Sequence, residues 1–247
     1  MDSIYDEGSI IPIPSNQGDI PTFICTPDGD GPWPAVIVIH DALGMTDDLR
    51  NHTRWLASHN FLAAAPNLFH WGGRASCLIK TMKDMAKSDK GRAFDDIAAV
   101  KTWLTNHKDF SGKIGIMGFC YGGGFALALA PNHGYSASAV NYGAIADWGM
   151  EKLVDSCPIV GSYGKSDPTL KGMANKLDEI LSENSIPHDI KEYEGVGHGF
   201  MNLHDAKDSS LIFRLLSWAS KTKYDAAATE DARRRICDFF DTHLRKE

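Results

Sequence analysis

The sequence predicts an α/β protein in which helices cover both faces of an open, mostly parallel, twisted sheet. Residues 35–39 are apolar at every position, which is typical of a strand buried on both faces of a parallel sheet. Strand-like runs alternate with helical patterns along the chain, the order that builds such sheets. No low-complexity linker or internal repeat interrupts the 247 residues, so we expect one domain over residues 1–247.

The N-terminal part of the chain begins with a predicted hairpin. Residues 9–13 and 19–25 are short strand-like runs separated by a turn-forming segment, which predicts an antiparallel hairpin at the sheet edge. After the buried strand, Thr46 and two aspartates indicate a helix start, and the helical pattern continues to about residue 59. Residues 61–66 form the next predicted strand.

Strands and helices continue to alternate in the rest of the chain. Two helical patterns occupy residues 76–107, where apolar residues recur at helical spacing. A strand that begins at Ile114 leads through a glycine-rich turn into an Ala- and Leu-rich helix. The remaining predicted strands are 137–144, 156–163 and 187–193, and the remaining predicted helices are 170–181 and 226–243.

The composition limits the partners and the location of the protein. Acidic residues outnumber basic ones by 32 to 25, with a formal net charge of −7 and no basic stripe, so nucleic acid is not an expected partner. The start lacks the basic and apolar regions of a signal peptide, and no apolar run approaches the ~18 residues of a membrane span. Five scattered cysteines favour reduced thiols over a disulfide framework or zinc site. We therefore expect a cytoplasmic protein with no membrane partner.

A glycine-rich turn carries the first candidate functional residue. Gly118 and Gly122 flank Cys120 in a Gly-x-Cys-x-Gly pattern between a strand and a helix, the pattern of a nucleophile elbow with cysteine as the nucleophile. Such a sharp turn needs small residues two positions to either side, and the helix N-terminus that follows favours thiolate over thiol. The alternative is that Cys120 is a small buried apolar residue in a flexible turn.

Two later strand ends supply the partners that a cysteine nucleophile requires. Asp167 lies in the loop after the strand at 156–163, and His198 follows the strand at 187–193. Nucleophile, acid and histidine in this order match the chain order of hydrolase triads. An imidazole raises the thiolate fraction and returns the proton to the leaving group, while a buried carboxylate fixes its tautomer. Asp147 is the rival acid, and the alternative for Asp167 is a helix cap.

Three motifs together resemble the dienelactone hydrolase family. They are Gly-Phe-Cys-Tyr-Gly-Gly at 118–123, Gly-x-x-Asp-Pro at 164–168 and Gly-His-Gly-Phe at 197–200. The resemblance extends over nearly the whole chain, and the combination is specific although each motif is modest alone. It implies an α/β-hydrolase fold without a large lid.

The resemblance also implies roles for individual residues. The catalytic triad would be Cys120, Asp167 and His198, and the oxyanion hole would be formed by the backbone N–H groups of Tyr121 and Ala42. Removing one such donor typically costs ~3–4 kcal/mol of transition-state stabilisation, so the loop that carries Ala42 should matter as much as the side chains.

The chain departs from the family pattern in the expected substrate pocket. Family members that open dienelactone carry a glutamate where this chain has Asp41, and they bind the substrate carboxylate with two arginines. Here Asn202 occupies one arginine position and Trp71 lies near the other, with Arg74 as a candidate substitute, and Phe200 completes the expected pocket. Because an amide and an indole do not replace a bidentate guanidinium clamp, we expect less polar or uncharged substrates.

These residues predict a cysteine-dependent hydrolase of small ester or lactone substrates that works through an acyl-thioester intermediate. No metal or organic cofactor is implied, and we expect a monomer or small homo-oligomer whose partner is the small-molecule substrate. One alternative is a non-hydrolytic relative that binds a small molecule or a partner in the same cleft. The other is a redox-sensing thiol at Cys120, for which no resolving cysteine lies nearby in the sequence.

Overall fold

The protein, seen in a computed structural model that describes residues 7–203 and 220–245, is built on one eight-stranded sheet. In chain order the strands are β1 Ser9–Ile13, β2 Ile20–Cys25, β3 Trp33–Ile39, β4 Leu62–Pro66, β5 Phe110–Phe119, β6 Ala137–Asn141, β7 Ile159–Gly164 and β8 His188–Tyr193. They lie side by side in the order β1-β2-β4-β3-β5-β6-β7-β8. The β1–β2 and β2–β4 pairs are antiparallel and the other pairs are parallel, so the predicted edge hairpin and mostly parallel sheet are confirmed.

Helices connect the parallel strands. In chain order they are α1 Asp47–Ser58, α2 Arg74–Met85, α3 Arg92–Thr105, α4 Tyr121–Leu129, α5 Asp147–Lys152, α6 Met173–Glu183 and α7 Ala226–Leu244. Thr46 caps α1 through its side chain, as the sequence predicts. The sequence patterns missed α5 and the 3₁₀ turn at Leu153–Asp155, because a helix of six residues is too short to show a helical period. The strand predicted at 137–144 ends at Asn141, since Tyr142 turns the chain with a φ of 41°.

The described ranges contain no helix that combines the length and the apolar character needed to cross a bilayer. Residues 1–6, which belong to the segment judged for a signal peptide, lie outside those ranges.

The core lies on both faces of the sheet. Ala35, Ile37 and Ile39 of β3 pack into one apolar cluster, and Val36 and Val38 pack into the other. Residues of α3, α4 and α6 belong to the first cluster, and residues of α1 and α7 belong to the second. Both faces of β3 are therefore covered, which explains why the strand is apolar at every position.

The loops that follow the parallel strands meet at one edge of the sheet. β3 and β5 pair as far as Ile39 and Gly118, and β7 and β8 pair as far as Gly164 and Tyr193. Parallel strands run in the same direction, so their carboxyl ends lie at the same edge of the sheet. The loops after these strands therefore begin at that edge, where ligands bind in such sheets. The candidate residues on those loops are thus brought to the same side of the molecule.

A buried arginine joins the last helix to the two strands that precede the acid and histidine loops. Arg235 of α7 is 7% exposed. Its guanidinium donates to the Gly161 carbonyl oxygen at 3.2 Å and to the Ser162 hydroxyl at 3.1 Å on β7. On β8 it donates to the Asp189 carboxylate at 2.9 Å and to the Tyr193 hydroxyl at 3.2 Å. Since several buried acceptors rely on this one side chain, Arg235 should contribute strongly to stability.

Replacing Arg235 by methionine, which keeps the apolar stem, should lower the free energy of unfolding by about 3 kcal/mol, because buried acceptors on both strands lose their donor. Arg234→Met is the matched control, since the Arg234 side chain is 62% exposed and pairs with Asp231 and Asp238 at the surface. We expect it to change the free energy of unfolding by less than about 1 kcal/mol. Urea unfolding followed by circular dichroism measures both, and equal effects would contradict the role of Arg235.

Candidate active site

Cys120 lies in a strained turn between β5 and α4. Its φ is 53° and its ψ is −115°, a conformation that residues with a side chain rarely adopt. The turn requires glycine on both sides, because a Cβ on Gly118 would lie 1.9 Å from the carbonyl oxygen of Gly122. The backbone N–H of Cys120 donates to the carbonyl oxygen of Asn141 at 2.9 Å. This is the strand-turn-helix geometry of a nucleophile elbow.

The elbow packs directly against the end of β3. Cys120 is half-buried, and Tyr121 is the first residue of α4, so the Tyr121 backbone N–H has no acceptor within the helix. A Cβ on Gly122 would lie 2.3 Å from the carbonyl oxygen of Ile39, so the backbones of α4 and β3 are in close contact here. Ala42 lies in the loop that follows β3. The two expected oxyanion-hole donors therefore lie on segments that meet at this contact.

His198 and Asp167 form a short hydrogen bond. The Nδ1 atom of His198 lies 2.6 Å from Oδ2 of Asp167, whose side chain is fully buried. The other carboxylate oxygen accepts from the backbone N–H of Thr169 at 2.8 Å and from its hydroxyl at 2.6 Å. The Cys120 side chain acts on the same histidine ring, where it helps to raise the pKa of His198. Because an ionised carboxylate can only accept, Nδ1 carries a hydrogen, which leaves Nε2 for the thiol.

The surroundings of His198 hold its ring in the charged form. Burial by itself lowers the pKa of His198, but the hydrogen bonds to Asp167 and Cys120 outweigh burial and raise the pKa to about 10. Burial opposes ionisation of Asp167 as well, yet hydrogen bonds from His198 and Thr169 lower the pKa of that carboxyl. The pair is therefore imidazolium and carboxylate at neutral pH.

The rival acid lies elsewhere. Asp147 begins α5, its side chain is 93% exposed, and it pairs with Lys176 at 3.5 Å. Asp167 does not cap a helix, since α6 begins at Met173 with Gly172 in the capping position. Of the two candidate acids, the structure places Asp167 beside His198.

Close backbone packing holds the acid and histidine loops together. A Cβ on Gly164 would lie 2.3 Å from the carbonyl oxygen of Gly197. The backbone N–H of Ser166 donates to the carbonyl oxygen of Val196 at 2.8 Å. Gly199 adopts a φ of 63°, which a residue with a side chain would strain to reach. The loop after β7 is thus bonded to the loop after β8. This contact fixes the relative positions of the two candidate side chains, Asp167 and His198.

Asp41 shapes the loop that carries Ala42. Its Oδ1 accepts from the backbone N–H of Leu43 at 2.8 Å, and its carbonyl oxygen accepts from the N–H of Gly44 at 3.2 Å. Its Oδ2 accepts from the side-chain amide of Asn202 at 2.8 Å. Asp41 is 5% exposed, so these bonds lie inside the protein, where they are stronger than in water.

Two residues predicted to line the substrate pocket are turned into the protein. Phe200 is fully buried and packs against two tyrosine rings. Asn202 is 4% exposed, and its amide is engaged at both ends, by Asp41 and by His52. The loop after β8 folds inward, so both side chains support the site from within the protein, and their contact with the substrate remains a prediction.

The other two pocket candidates have different surroundings. Trp71 is half-buried, and its ring is flanked by the cationic groups of Lys80 and Arg92, each 5.2 Å from the ring centroid. Arg74, the first residue of α2, is exposed and donates to the carbonyl oxygen of Leu43 at 3.3 Å. Arg74 therefore contacts the loop after β3, whereas Trp71 contacts cations of α2 and α3.

Sequence reasoning missed three residues that support the site. Thr169 bonds the Asp167 carboxylate, and its place two residues after an aspartate is the spacing of an Asx turn. The ring of Tyr142 lies edge-on to that of His198 with 5.2 Å between centroids, and no sequence signal pointed to it. His52 is buried on α1, where a histidine among the apolar positions of the helix was a usable signal.

A nucleophile elbow, an acid and a histidine at the carboxyl edge of a mostly parallel sheet define an α/β-hydrolase. The profile of the dienelactone hydrolase family matches residues 20–244, and the chain belongs to that family. A relative from Yersinia pestis, named "Putative carboxymethylenebutenolidase", is 26% identical over 247 residues, which cover 94% of this chain and 86% of the relative.

Solved structures share the fold. A "Putative Dienelactone Hydrolase" from Klebsiella pneumoniae has a TM-score of 0.75 at 23% identity and covers 94% of this chain and 97% of its own. A dienelactone hydrolase-like promiscuous phosphotriesterase from metagenomic libraries also has a TM-score of 0.75, at 18% identity, with 96% and 98% covered. The predicted family, the predicted fold and the broad class of hydrolase that acts on esters or lactones are confirmed by the family match. The cysteine mechanism and the substrate remain predictions.

His198 should stay protonated far above the pH at which an ordinary histidine loses its proton. Because its pKa is raised from 6.5 to about 10, the ring should remain an imidazolium at pH 8 and lose its proton as the pH approaches 10. The ¹⁵N chemical shifts of the ring, assigned with His198→Gln, measure this. In Asp167→Asn the midpoint should fall, because the carboxylate that stabilises the charge is gone. A wild-type midpoint near 6.5 would contradict the charged pair.

Proposed function

We propose that this protein hydrolyses small ester or lactone substrates with Cys120 as the nucleophile. The observation that carries the proposal is the His198 ring, which lies 2.6 Å from the Asp167 carboxylate and whose pKa is raised by Asp167 and by Cys120 of the elbow. A nucleophile, a base and an orienting carboxylate in this arrangement are the working parts of acyl transfer. Family membership and the names of the relatives point to the same class of substrate.

The first half-reaction makes an acyl-thioester. The Cys120 thiolate attacks the carbonyl carbon and forms a C–S bond, while the carbonyl π electrons move to the oxygen. The backbone N–H groups of Tyr121 and Ala42 stabilise this oxyanion, and one such donor is worth about 3–4 kcal/mol. As the tetrahedral intermediate collapses, the C–O bond breaks and the His198 imidazolium gives its proton to the leaving alkoxide.

The second half-reaction releases the acid. Neutral His198 accepts a proton from water, whose oxygen attacks the thioester carbonyl at the same oxyanion hole. Collapse breaks the C–S bond, frees the carboxylic acid and restores the Cys120 thiolate beside the imidazolium. Asp167 holds the Nδ1–H throughout, so the ring keeps one tautomer and one orientation. In this scheme, both half-reactions use only water and groups of the protein.

Burial makes the thiols of three other cysteines harder to ionise. Burial raises the pKa of Cys157 and Cys237 to about 12, and it raises the pKa of Cys77 as well. Cys25 is fully buried. Because the thiolate is the reactive form, an added electrophile should select Cys120.

Cys120→Ala should abolish turnover of p-nitrophenyl acetate, with kcat/KM at least about a thousandfold lower, because the nucleophile is gone. Iodoacetamide should inactivate the wild type at the same rate as it labels Cys120. Peptide mass mapping measures the labelling. Cys157→Ala is the matched control, since Cys157 is also half-buried, and it should keep wild-type activity. Turnover that survives in Cys120→Ala contradicts the proposal.

Ester turnover, alkylation and a peroxide treatment separate the alternatives. A relative that binds without hydrolysis would show alkylation of Cys120 but no turnover by the wild type. A redox-sensing thiol would form a disulfide at Cys120 after mild peroxide. A cytoplasmic location and a monomeric or small oligomeric state remain predictions.

We propose further that the pocket favours uncharged substrates. Of the five residues expected to line it, Arg74 alone carries a positive charge, Asp41 is acidic, and Asn202 is neutral and engaged by Asp41. An anionic substrate would therefore lose the solvation of its carboxylate without a bidentate partner. Neutral aryl esters and simple lactones carry no such group.

The kcat/KM values for a neutral aryl ester and for a carboxylated dienelactone should lie within about tenfold of each other, because no paired arginines favour the anion. A preference for the anion above about a hundredfold would contradict this, since two charge-assisted hydrogen bonds of about 1.5–3 kcal/mol each are worth at least that much. Arg74→Gln tests the candidate substitute, and we expect it to leave the ratio of the two values unchanged.

A further inference from the structure

Four buried or half-buried side chains form a hydrogen-bonded chain that we call the Arg233–Asp41 relay. The Nη2 atom of Arg233, on α7, lies 3.2 Å from Nδ1 of His52, on α1. The Nε2 atom of His52 lies 2.9 Å from Oδ1 of Asn202, in the loop after β8. The Nδ2 atom of Asn202 lies 2.8 Å from Oδ2 of Asp41, in the loop after β3. The relay thus joins the last helix to the candidate active site.

The chemistry of the two ends fixes the direction of every bond in the relay. Asp41 can only accept, so Asn202 turns its NH₂ group to Asp41 and its carbonyl oxygen to His52. His52 must then donate from Nε2, which leaves Nδ1 as an acceptor. Arg233 can only donate, and it supplies that hydrogen. One neutral tautomer of His52 therefore satisfies both neighbours.

The surroundings of His52 keep it in this neutral form. The residue is 1% exposed. Burial, and after it the nearby charge of Arg233, lowers the pKa of His52 to about 3, so the ring is uncharged at neutral pH. The ring stacks on that of Phe119, with 4.3 Å between the two centroids. Phe119 is the residue directly before Cys120 in the chain. The ring is thus held by packing as well as by its two hydrogen bonds.

The relay ends on the carboxylate that shapes the oxyanion loop. While Asn202 fixes one oxygen of Asp41, the other oxygen accepts from the N–H of Leu43 at 2.8 Å. Ala42 lies between these two residues, so its N–H direction follows from how the carboxylate is held. We propose that His52 is a positioning residue for the oxyanion-hole donor at Ala42, acting through Asn202 and Asp41. This inference rests on the proposed function, which gives Ala42 that role.

Two substitutions of His52 separate its two hydrogen bonds. In His52→Gln the side-chain amide nitrogen takes the place of Nε2 and still donates to Asn202. In His52→Asn the amide reaches the place of Nδ1, so the bond to Asn202 is lost. His52→Asn should lower kcat for p-nitrophenyl acetate by at least about tenfold with little change in KM, because the oxyanion exists in the transition state. His52→Gln should keep kcat within about threefold of the wild type.

Two further measurements report on position rather than on folding. Iodoacetamide alkylates Cys120 without forming an oxyanion, so its rate constant in His52→Asn should stay within about twofold of the wild type. The backbone ¹H–¹⁵N resonance of Ala42 should move in His52→Asn and stay in place in His52→Gln. Asn202→Leu breaks the same relay, so its loss of kcat should not add to that of His52→Asn in the double variant.

His59→Asn is the matched control, since His59 is an exposed histidine at the end of the same helix, and it should leave all the measurements unchanged. The inference is overturned if His52→Asn turns over like the wild type, if Cys120 alkylation falls in parallel with kcat, or if the Ala42 resonance does not move. If the wild type is alkylated normally but hydrolyses no ester or lactone, the proposed function fails instead. The Ala42 resonance then decides whether the relay holds the loop.

Discussion

Cys120 is held at positive φ at the end of a central strand, and Asp167, His198 and the loop after β3 are arranged around that turn. A conformation of this kind costs about 1–3 kcal/mol, so it persists where the surroundings leave the backbone no alternative. Here β5 is paired on both sides, by β3 and by β6, and every residue of α4 is buried. Gly118 and Gly122 permit the backbone contact that closes the turn.

Three histidines near this turn, of which His40 and His52 are buried and His198 is half-buried, show how hydrogen-bond partners decide protonation. His198 faces a carboxylate and a thiol, and its pKa is raised. His52 faces a guanidinium and an amide, and burial lowers its pKa. Burial also lowers the pKa of His40, whose Nε2 accepts from the N–H of Leu68 at 3.1 Å while Nδ1 bonds the Asp41 carbonyl oxygen at 2.7 Å. One residue type thus supplies one protonated ring and two neutral rings, because burial penalises charge unless an acceptor compensates it.

Much of this arrangement could be predicted from the sequence because its signals are local. The apolar run at 35–39 and the glycines around Cys120 report their own backbone conformation, and the order of Asp167 and His198 along the chain follows from the topology of a parallel sheet. The inward turn of Asn202 could not be predicted, since it depends on a histidine 150 positions away on α1. Short elements such as α5 were missed because too few residues carry their pattern.

The Arg235 guanidinium ties β7 and β8 to α7, and that edge of the sheet ends in the two loops that hold Asp167 and His198. A partial opening of this edge would therefore withdraw the carboxylate and the imidazole together, as one cooperative unit. The central strand and the elbow would remain folded meanwhile, with the Cys120 sulfur separated from the His198 ring. A local opening of this edge should thus separate all three candidate residues at once and leave the site incomplete.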